Sequence, residues 1–337
     1  MLIEVGSPAS LPLGLVRFDT GQISLLGLTV QHPPTQIFAQ SHPTLQMIGA
    51  RADLARRHAT HFLHHHHLKQ QAGVEIELAI PMLVGLGSDP LLGLSLAHAL
   101  AWVHNLPADQ YDPVQLARAL GLSPDEALAV FGFDQGGLLL VDSPPEPGQE
   151  FPALRRRAEI AHREKEAWAF VFHFPDLPPD TPETLEQDRL AALWQAAPHL
   201  SDETGHLVDT RLWPAVETDD FETFARALAR LHDLNLAALK QAGTSPPLSA
   251  GDQAILEVMR QSGAAGTAQT LTGLSAYGLI QGGQPSRILR KKLRDHVGFF
   301  GGTILATITA NAGVRQAEHK RNLAFKELKS PRLNLRK

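Results

Sequence analysis

The stretch Val74-Glu-Ile-Glu-Leu-Ala-Ile-Pro-Met-Leu-Val-Gly-Leu-Gly-Ser-Asp-Pro90 decides how the chain is read. Val74, Ile76, Leu78 and Ile80 alternate with Glu75, Glu77 and Ala79, the period of a half-buried strand. From about Pro90 to His104 the residues are apolar nearly all round (Leu91, Leu92, Leu94, Leu96, Leu100), which predicts a buried central helix. Between strand and helix stand Gly85 and Gly87. Glycines at such a junction let backbone amides approach an anion without a Cβ in the way. The helix N-terminus adds unpaired N–H groups and a partial positive charge. Val84, Gly85, Leu86, Gly87 and Ser88 are therefore a candidate phosphate-binding loop. The pattern has no Gly-Lys-Ser/Thr of a Walker A loop, and its third glycine is misplaced for a dinucleotide fingerprint. A tight turn that binds nothing needs the same two glycines, so spacing alone leaves both readings open. Asp89 before Pro90 has the form of a helix N-cap followed by the first helical residue.

Upstream, residues 1–40 alternate loosely with many Gly and Pro, as short strands and turns do, and residues 48–71 read as a helix. Downstream, a short helix is expected at 113–120 and strands at 128–141 around a Gly136-Gly137 turn. Ser143-Pro-Pro-Glu-Pro-Gly has linker composition and places a boundary at 143–152. Beyond it a strand runs from Trp168 to Phe174. Helices follow at about 183–197, 219–241 and 250–262, the last capped by Ser249. A glycine-rich stretch at 263–278, a basic helix at 285–296 and a strand at 302–309 complete the pattern. The expected organisation is an N-terminal lobe at 1–147, a second lobe at 148–313 and a basic tail at 314–337.

The totals agree with a two-lobed α+β protein. The chain has 337 residues, 43% of them hydrophobic and 19% charged, enough for two packed domains and unlike a disordered chain. It has no cysteine, which removes disulfides and thiolate chemistry. The N-terminus shows no secretory pattern, and no run of about 18 apolar residues predicts a membrane span. A cytoplasmic protein is therefore expected. The formal net charge of −5 argues against nucleic acid as a partner.

Other features have plainer explanations. His58, His61 and His65 stand at helical spacing, but residues 54–72 hold no carboxylate or cysteine to complete a metal site, so a solvated helix face is expected. The basic residues around Arg290 accompany what reads as an ordinary buried stripe of Ile288, Leu289 and Leu293. No Gly-x-Ser-x-Gly elbow supports a serine nucleophile. In the second lobe, Glu203 and Asp209 are where a catalytic base or a Mg²⁺ ligand would be sought.

Taken with what surrounds it, the loop resembles the phosphate-binding motif of the GHMP kinase superfamily. Within that superfamily the chain resembles the β-ribofuranosylaminobenzene 5′-phosphate synthase family. Leu13-Gly-Leu-Val16 followed by Leu26-Gly-Leu28 is similar to the family's opening strands. Phe133-Asp-Gln-Gly-Gly-Leu-Leu-Leu-Val141, Leu212-Trp-Pro-Ala-Val216 with Asp219-Asp-Phe221, and Gly263 to Leu279 match further segments in order, from about residue 10 to 313. The resemblance implies a GHMP-kinase-like fold with a ribosomal protein S5 domain 2-like N-lobe, a ferredoxin-like C-lobe and a site in the cleft between them. It implies condensation of phosphoribosyl pyrophosphate with 4-aminobenzoate or a hydroxybenzoate, releasing carbon dioxide and pyrophosphate, in tetrahydromethanopterin biosynthesis. It also implies Mg²⁺, a phosphorylated small-molecule partner and a homodimer. Gly85, Gly87 and Ser88 would hold the pyrophosphate, faced by Gly266, Thr267, Gln269 and Thr270 from the second lobe.

The departures bear on that expectation. The family's Arg/His pair before the opening Gly-Leu is absent from Ser10-Leu-Pro-Leu-Gly-Leu15, and its Ser-Ser-Trp-Gly-Pro run has become Thr270-Leu-Thr-Gly-Leu274. As an N-cap, Asp89 would take the amides that a phosphate needs. It would also repel an anion, at about 4 kcal/mol for unit charges about 4 Å apart in an effective dielectric near 20. As a Mg²⁺ ligand beside the pyrophosphate it would instead assist. An ATP-dependent small-molecule kinase of the same superfamily and a non-catalytic binding or scaffold relative are the alternatives.

Overall fold

The computed structural model describes residues 1–143, 149, 151–163, 166–177, 180–244, 249–298, 301–320 and 323. In chain order the elements are β1 (Leu2–Arg17), β2 (Ile23–Gln40), β3 (Gln46–Gly49), α1 (Ala52–His65), β4 (Gly73–Leu78), α2 (Ser88–Val103), α3 (Pro113–Leu120), α4 (Ala127–Gln135) and β5 (Leu138–Asp142). They continue with β6 (Leu154–Ala158), β7 (Trp168–Phe174), α5 (Leu185–Gln195), α6 (Glu203–Leu207), α7 (Trp213–Glu217), α8 (Phe221–Gln241) and α9 (Ala250–Gln261). The last are β8 (Ala265–Gln269), β9 (Ala276–Gln281), α10 (Gly283–Val297), β10 (Thr303–Ile308) and β11 (Arg315–His319).

A seven-stranded sheet forms the first lobe. Its main path is β11-β1-β2-β4-β3, with β5 on the other half of β2 and β6 beyond it. β1 and β2 make one long hairpin, from Arg17 opposite Ile23 back to Leu2 opposite Gln40. α2 packs on these strands, with Leu91, Leu92, Leu94, Leu96 and Leu100 fully buried, so its lack of a polar face reflects burial on every side. Each such leucine contributes about 1.5–3 kcal/mol of transfer free energy. The second sheet, β10-β7-β9-β8, is antiparallel throughout. Its strand β7 is buried on both faces. Trp168, Phe170 and Phe172 join the core shared with β1 and α2, while Ala169 and Val171 pack under α9 and α10.

The lobes are tied together at β1. Asn235, buried in α8, accepts from the Leu15 N–H (2.8 Å) and donates to the Leu15 carbonyl (3.0 Å). A Cβ at Gly14 would stand 2.8 Å from the Asn235 amide nitrogen, so the glycine of Leu13-Gly-Leu15 serves this packing.

Several expectations need revision. The expected strand over the first half of 128–141 is instead helix α4, and only Leu138–Asp142 is extended. The stretch around Gly205 to Glu217 is helical, which the sequence pattern did not reveal. The basic tail begins with β11, which pairs antiparallel with β1 from Leu2 to Gly6. Its remainder from 324 onward lies outside the described residues. The expected linker falls mostly outside them as well, and β6 beyond it still belongs to the first sheet. Ser249 caps α9 as expected, in a reciprocal capping box with Asp252. Among the described residues, no helix is long and apolar enough to cross a membrane.

Candidate functional site

The loop after β4 reaches α2 through three left-handed residues: Leu83 (φ 63°), Gly85 (φ 77°) and Gly87 (φ 70°). Gly87 is the N-cap of α2, and no side chain caps the helix. This overturns the capping role expected of Asp89. The helix begins at Ser88, one residue before Asp89, so the Asp89 side chain projects sideways from the first turn. Its Oδ1 accepts from His58 Nε2 of α1 at 2.6 Å. His58 is thus no member of a solvated face; its side chain is only 14% exposed. Burial by itself pushes the Asp89 carboxyl up. The His58 hydrogen bond and the His58, Arg51 and Arg57 charges outweigh burial and hold it below the ordinary carboxylate range. Arg51 braces the same turn by donating to the Ser88 carbonyl (3.0 Å).

The loop's donors are already occupied, by a carboxyl group of the protein itself. Glu186, in the first turn of α5, accepts from the Gly85 N–H with Oε1 (2.5 Å) and from Ser88 Oγ with Oε2 (3.2 Å). Burial raises its carboxyl above the usual range, against the bonds from Gly85 and Ser88 and the charge of Arg51. Nothing in the local sequence marks this residue: an acidic group in a first helical turn is ordinary dipole pairing.

The second lobe also meets the loop through the Thr270–Ser275 turn. Thr270 Oγ1 donates to the Val84 carbonyl (3.1 Å), and the Leu274 N–H donates to the Leu83 carbonyl (2.8 Å). Arg189 of α5 donates to the Gly273 carbonyl. Gly273 lies so close that a Cβ there would overlap the Gly85 backbone. Of the residues expected to face the loop, Thr270 does so. Gln269 is buried at the end of β8, its amide nitrogen unpartnered among the described residues. Gly266 packs near the Ala225 carbonyl of α8, and Thr267 accepts from Arg260 of α9 (3.2 Å); neither reaches the loop. Glu203 and Asp209 are engaged in exposed ion pairs with Arg230 and Arg156.

Two cavities flank the loop. One of about 70 Å³ has a mostly apolar wall that includes Pro12, Leu25, Pro90, Leu128 and Leu190. Ser10 and Pro12, from the opening segment that lacks the family's Arg/His pair, belong to this wall. The other, about 400 Å³, is polar and includes Arg51, Arg57 and Ser88. Asp89 and Glu186 line both. The donor set does not make a protein-only Mg²⁺ site. Asp89 Oδ1 is bonded to His58, and no three His, Asp or Glu residues among those described stand close enough together to hold a metal.

No family model matches the chain. Its sequence is 26% identical over 228 residues to the beta-ribofuranosylphenol 5′-phosphate synthase of Archaeoglobus fulgidus, covering 65% of this chain and 69% of that protein. Among solved structures it is similar to L. major mevalonate kinase in complex with R-mevalonate, with a TM-score of 0.67 and 14% identity over 91% of this chain and 96% of that one. The mevalonate diphosphate decarboxylase of Enterococcus faecalis follows at a TM-score of 0.63 and 13% identity, covering 95% and 99%. Homoserine kinase of Cytophaga hutchinsonii gives 0.59 and 15% identity, covering 94% and 97%. The fold is thus the two-lobed α+β fold of GHMP-type proteins. The resemblance to the β-ribofuranosyl synthase family is matched by a relative that carries that activity in its name. These relatives are enzymes.

Proposed function

We propose that the protein is a transferase similar to the β-ribofuranosylaminobenzene 5′-phosphate synthases, joining a phosphoribosyl donor to an aromatic acid of the 4-aminobenzoate or hydroxybenzoate type in tetrahydromethanopterin-type biosynthesis. One observation carries this reading. The glycine-rich loop is folded as an anion cradle, with an amide and a hydroxyl converging on a carboxylate, next to an apolar pocket. The donor's diphosphate suits the loop and the Arg51–Arg57 cavity, and an arene suits the walls of Pro12, Leu128 and Leu190. A sugar or alcohol acceptor would leave its hydroxyls facing those apolar walls. Among the described residues neither cavity is lined by a lysine, which weighs against the kinase alternative. A cytoplasmic setting and a homodimer belong to the same reading, and Mg²⁺ would arrive with the donor's phosphates.

The non-catalytic alternative is favoured by the occupancy of the loop by Glu186 and the closeness of Gly273. The deciding experiment incubates the protein with phosphoribosyl pyrophosphate, Mg²⁺ and either 4-aminobenzoate or 4-hydroxybenzoate, following pyrophosphate release and the ribosylated arene by mass spectrometry. Product is expected from one acceptor. Phosphorylation of an alcohol from ATP would establish the kinase instead. No turnover from any combination would leave the scaffold reading.

A further inference from the structure

We infer that Glu186 is a specificity-determining residue that acts as an internal ligand of the glycine-rich loop: an anionic donor enters by displacing it, and its departure joins the two flanking cavities into one site. The inference rests on the reading of the loop as a diphosphate-binding site.

Three observations point to displacement. The first is the seat itself. Both Glu186 oxygens lie on loop donors, Gly85 N–H and Ser88 Oγ, which are groups that a phosphate oxygen would use. The second is how the carboxylate is compensated. Glu186 makes no ion pair among the described residues; the guanidinium of Arg51 donates to the Ser88 and Ile80 carbonyls, and that of Arg189 to the Gly273 carbonyl. A buried carboxylate held by two neutral donors is under-compensated, so a ligand with more negative charge and more acceptor oxygens can outcompete it. The third is position. Glu186 lines both the apolar cavity of about 70 Å³ and the polar cavity of about 400 Å³, and so stands as part of the wall between them. The smaller cavity is well below the roughly 150 Å³ that takes a benzene ring, so an arene needs this wall to move.

The residue therefore sets a threshold on ligand charge. A monocarboxylate gains nothing over Glu186, which is already in place at high effective concentration. A diphosphate brings extra acceptor oxygens toward Ser88 and extra charge toward Arg51 and Arg57.

The test is calorimetric titration of the purified full chain with inorganic pyrophosphate at neutral pH, comparing wild type, Glu186→Gln and Glu186→Ala. Binding at least tenfold tighter in Glu186→Ala, with Glu186→Gln in between, is expected. Equal or weaker binding in both variants overturns the inference. If wild type and variants bind pyrophosphate equally, the loop remains a diphosphate site and only the role of Glu186 fails. If none binds pyrophosphate or phosphoribosyl pyrophosphate, the underlying reading fails with it. A wild-type measurement guards against misfolded variants. Saturating pyrophosphate should speed hydrogen–deuterium exchange at the start of α5 while slowing it in the loop, and unchanged or slower exchange at α5 overturns the inference.

Discussion

The glycine-rich loop has a carboxyl group on each flank, and the two behave oppositely. On the first-lobe flank, Asp89 is paired with His58 and held below its ordinary range. On the second-lobe flank, Glu186 sits on neutral donors and is pushed above its range, chiefly by burial. The difference is one of compensation. Asp89 is held by a short bond from His58 with Arg51 and Arg57 nearby, so its charge stabilises the fold; Glu186 feels Arg51 too but lacks an ion-pair partner among the described residues and retains a desolvation cost. The first flank is fixed wiring within one lobe, whereas the second is a contact between lobes that an anion can contest.

The two flanks differ most in what their glycines tolerate. Gly87 belongs to the first flank, and an added Cβ would meet Leu91, Ser10 and Ala129 at 3.3–3.7 Å, with only its left-handed φ opposing a side chain. Gly87→Ala should cost about 1–2 kcal/mol. Gly273 belongs to the second flank, where a Cβ would overlap the Gly85 backbone. Gly273→Ala should cost about 3 kcal/mol or more, since two backbones must separate. Denaturant midpoints of the two variants check this. A Gly273→Ala cost no larger than that of Gly87→Ala would mean that the second lobe does not clamp the loop.

Acid stability carries a background from elsewhere in the second lobe. His232 of α8 is 7% exposed, with Nδ1 unpartnered among the described residues, and burial lowers its pKa from 6.5 to about 4. A folded pKa below the unfolded value means stability that is fully present above pH 6.5 and lost as pH falls toward 4. The shift corresponds to about 3 kcal/mol. His232→Phe should flatten the stability profile between those pH values, and comparisons of the two loop flanks below pH 6.5 are best made in that background. A profile unchanged by the substitution would show that His232 takes up its proton without unfolding.

The backbone of the site was legible in the sequence, and its charge balance was not. Alternation at 74–80 and the two glycines located the loop, and β7 was read to its ends because Trp168, Phe170, Phe172 and Phe174 recur with period two. The cap at Ser249 was visible because a serine just before the first helical residue is itself a helix-start signal, whereas its reciprocal bond with Asp252 was not. α4 has the sequence pattern of a strand because Val130, Phe131 and Phe133 favour strands, and its burial on nearly all sides erases the helical period. Glu186 and His58 could not be found by spacing. Their partners lie 98–101 and 31 residues away, across lobe and helix contacts that only the fold creates.

On the first flank, Asp89→Asn replaces a charge-assisted bond to half-buried His58 with a neutral one. It should cost about 1–2 kcal/mol at pH 7, the range for hydrogen bonds to charged groups. Because the folded pKa of Asp89 is depressed, its contribution is present above the unfolded value of 3.8 and fades as pH falls through the folded one. The gap between wild type and variant should therefore hold constant from pH 7 to about 5 and close in stronger acid. A gap that widens on acidification would remove Asp89 from the role of strut.

Glu186→Gln should have the smallest effect, and its sign is the sharpest test of the contrast. The amide keeps an acceptor oxygen for the Gly85 N–H and loses the buried charge, so stability at pH 7 should change by about 1 kcal/mol or less. The folded pKa of Glu186 is raised, so the carboxyl group's contribution is present below the unfolded value of 4.5 and lost as pH rises through the folded one. The wild type should therefore lose ground to Glu186→Gln as pH rises above 4.5, the reverse of the Asp89 behaviour. Parallel melts of both variants across pH 4–7 read the two slopes directly. Slopes of the same sign would mean that Glu186 is as well compensated as Asp89. It would then be a second strut rather than a displaceable guest, and an anion could reach the loop only by opening the lobes as a whole.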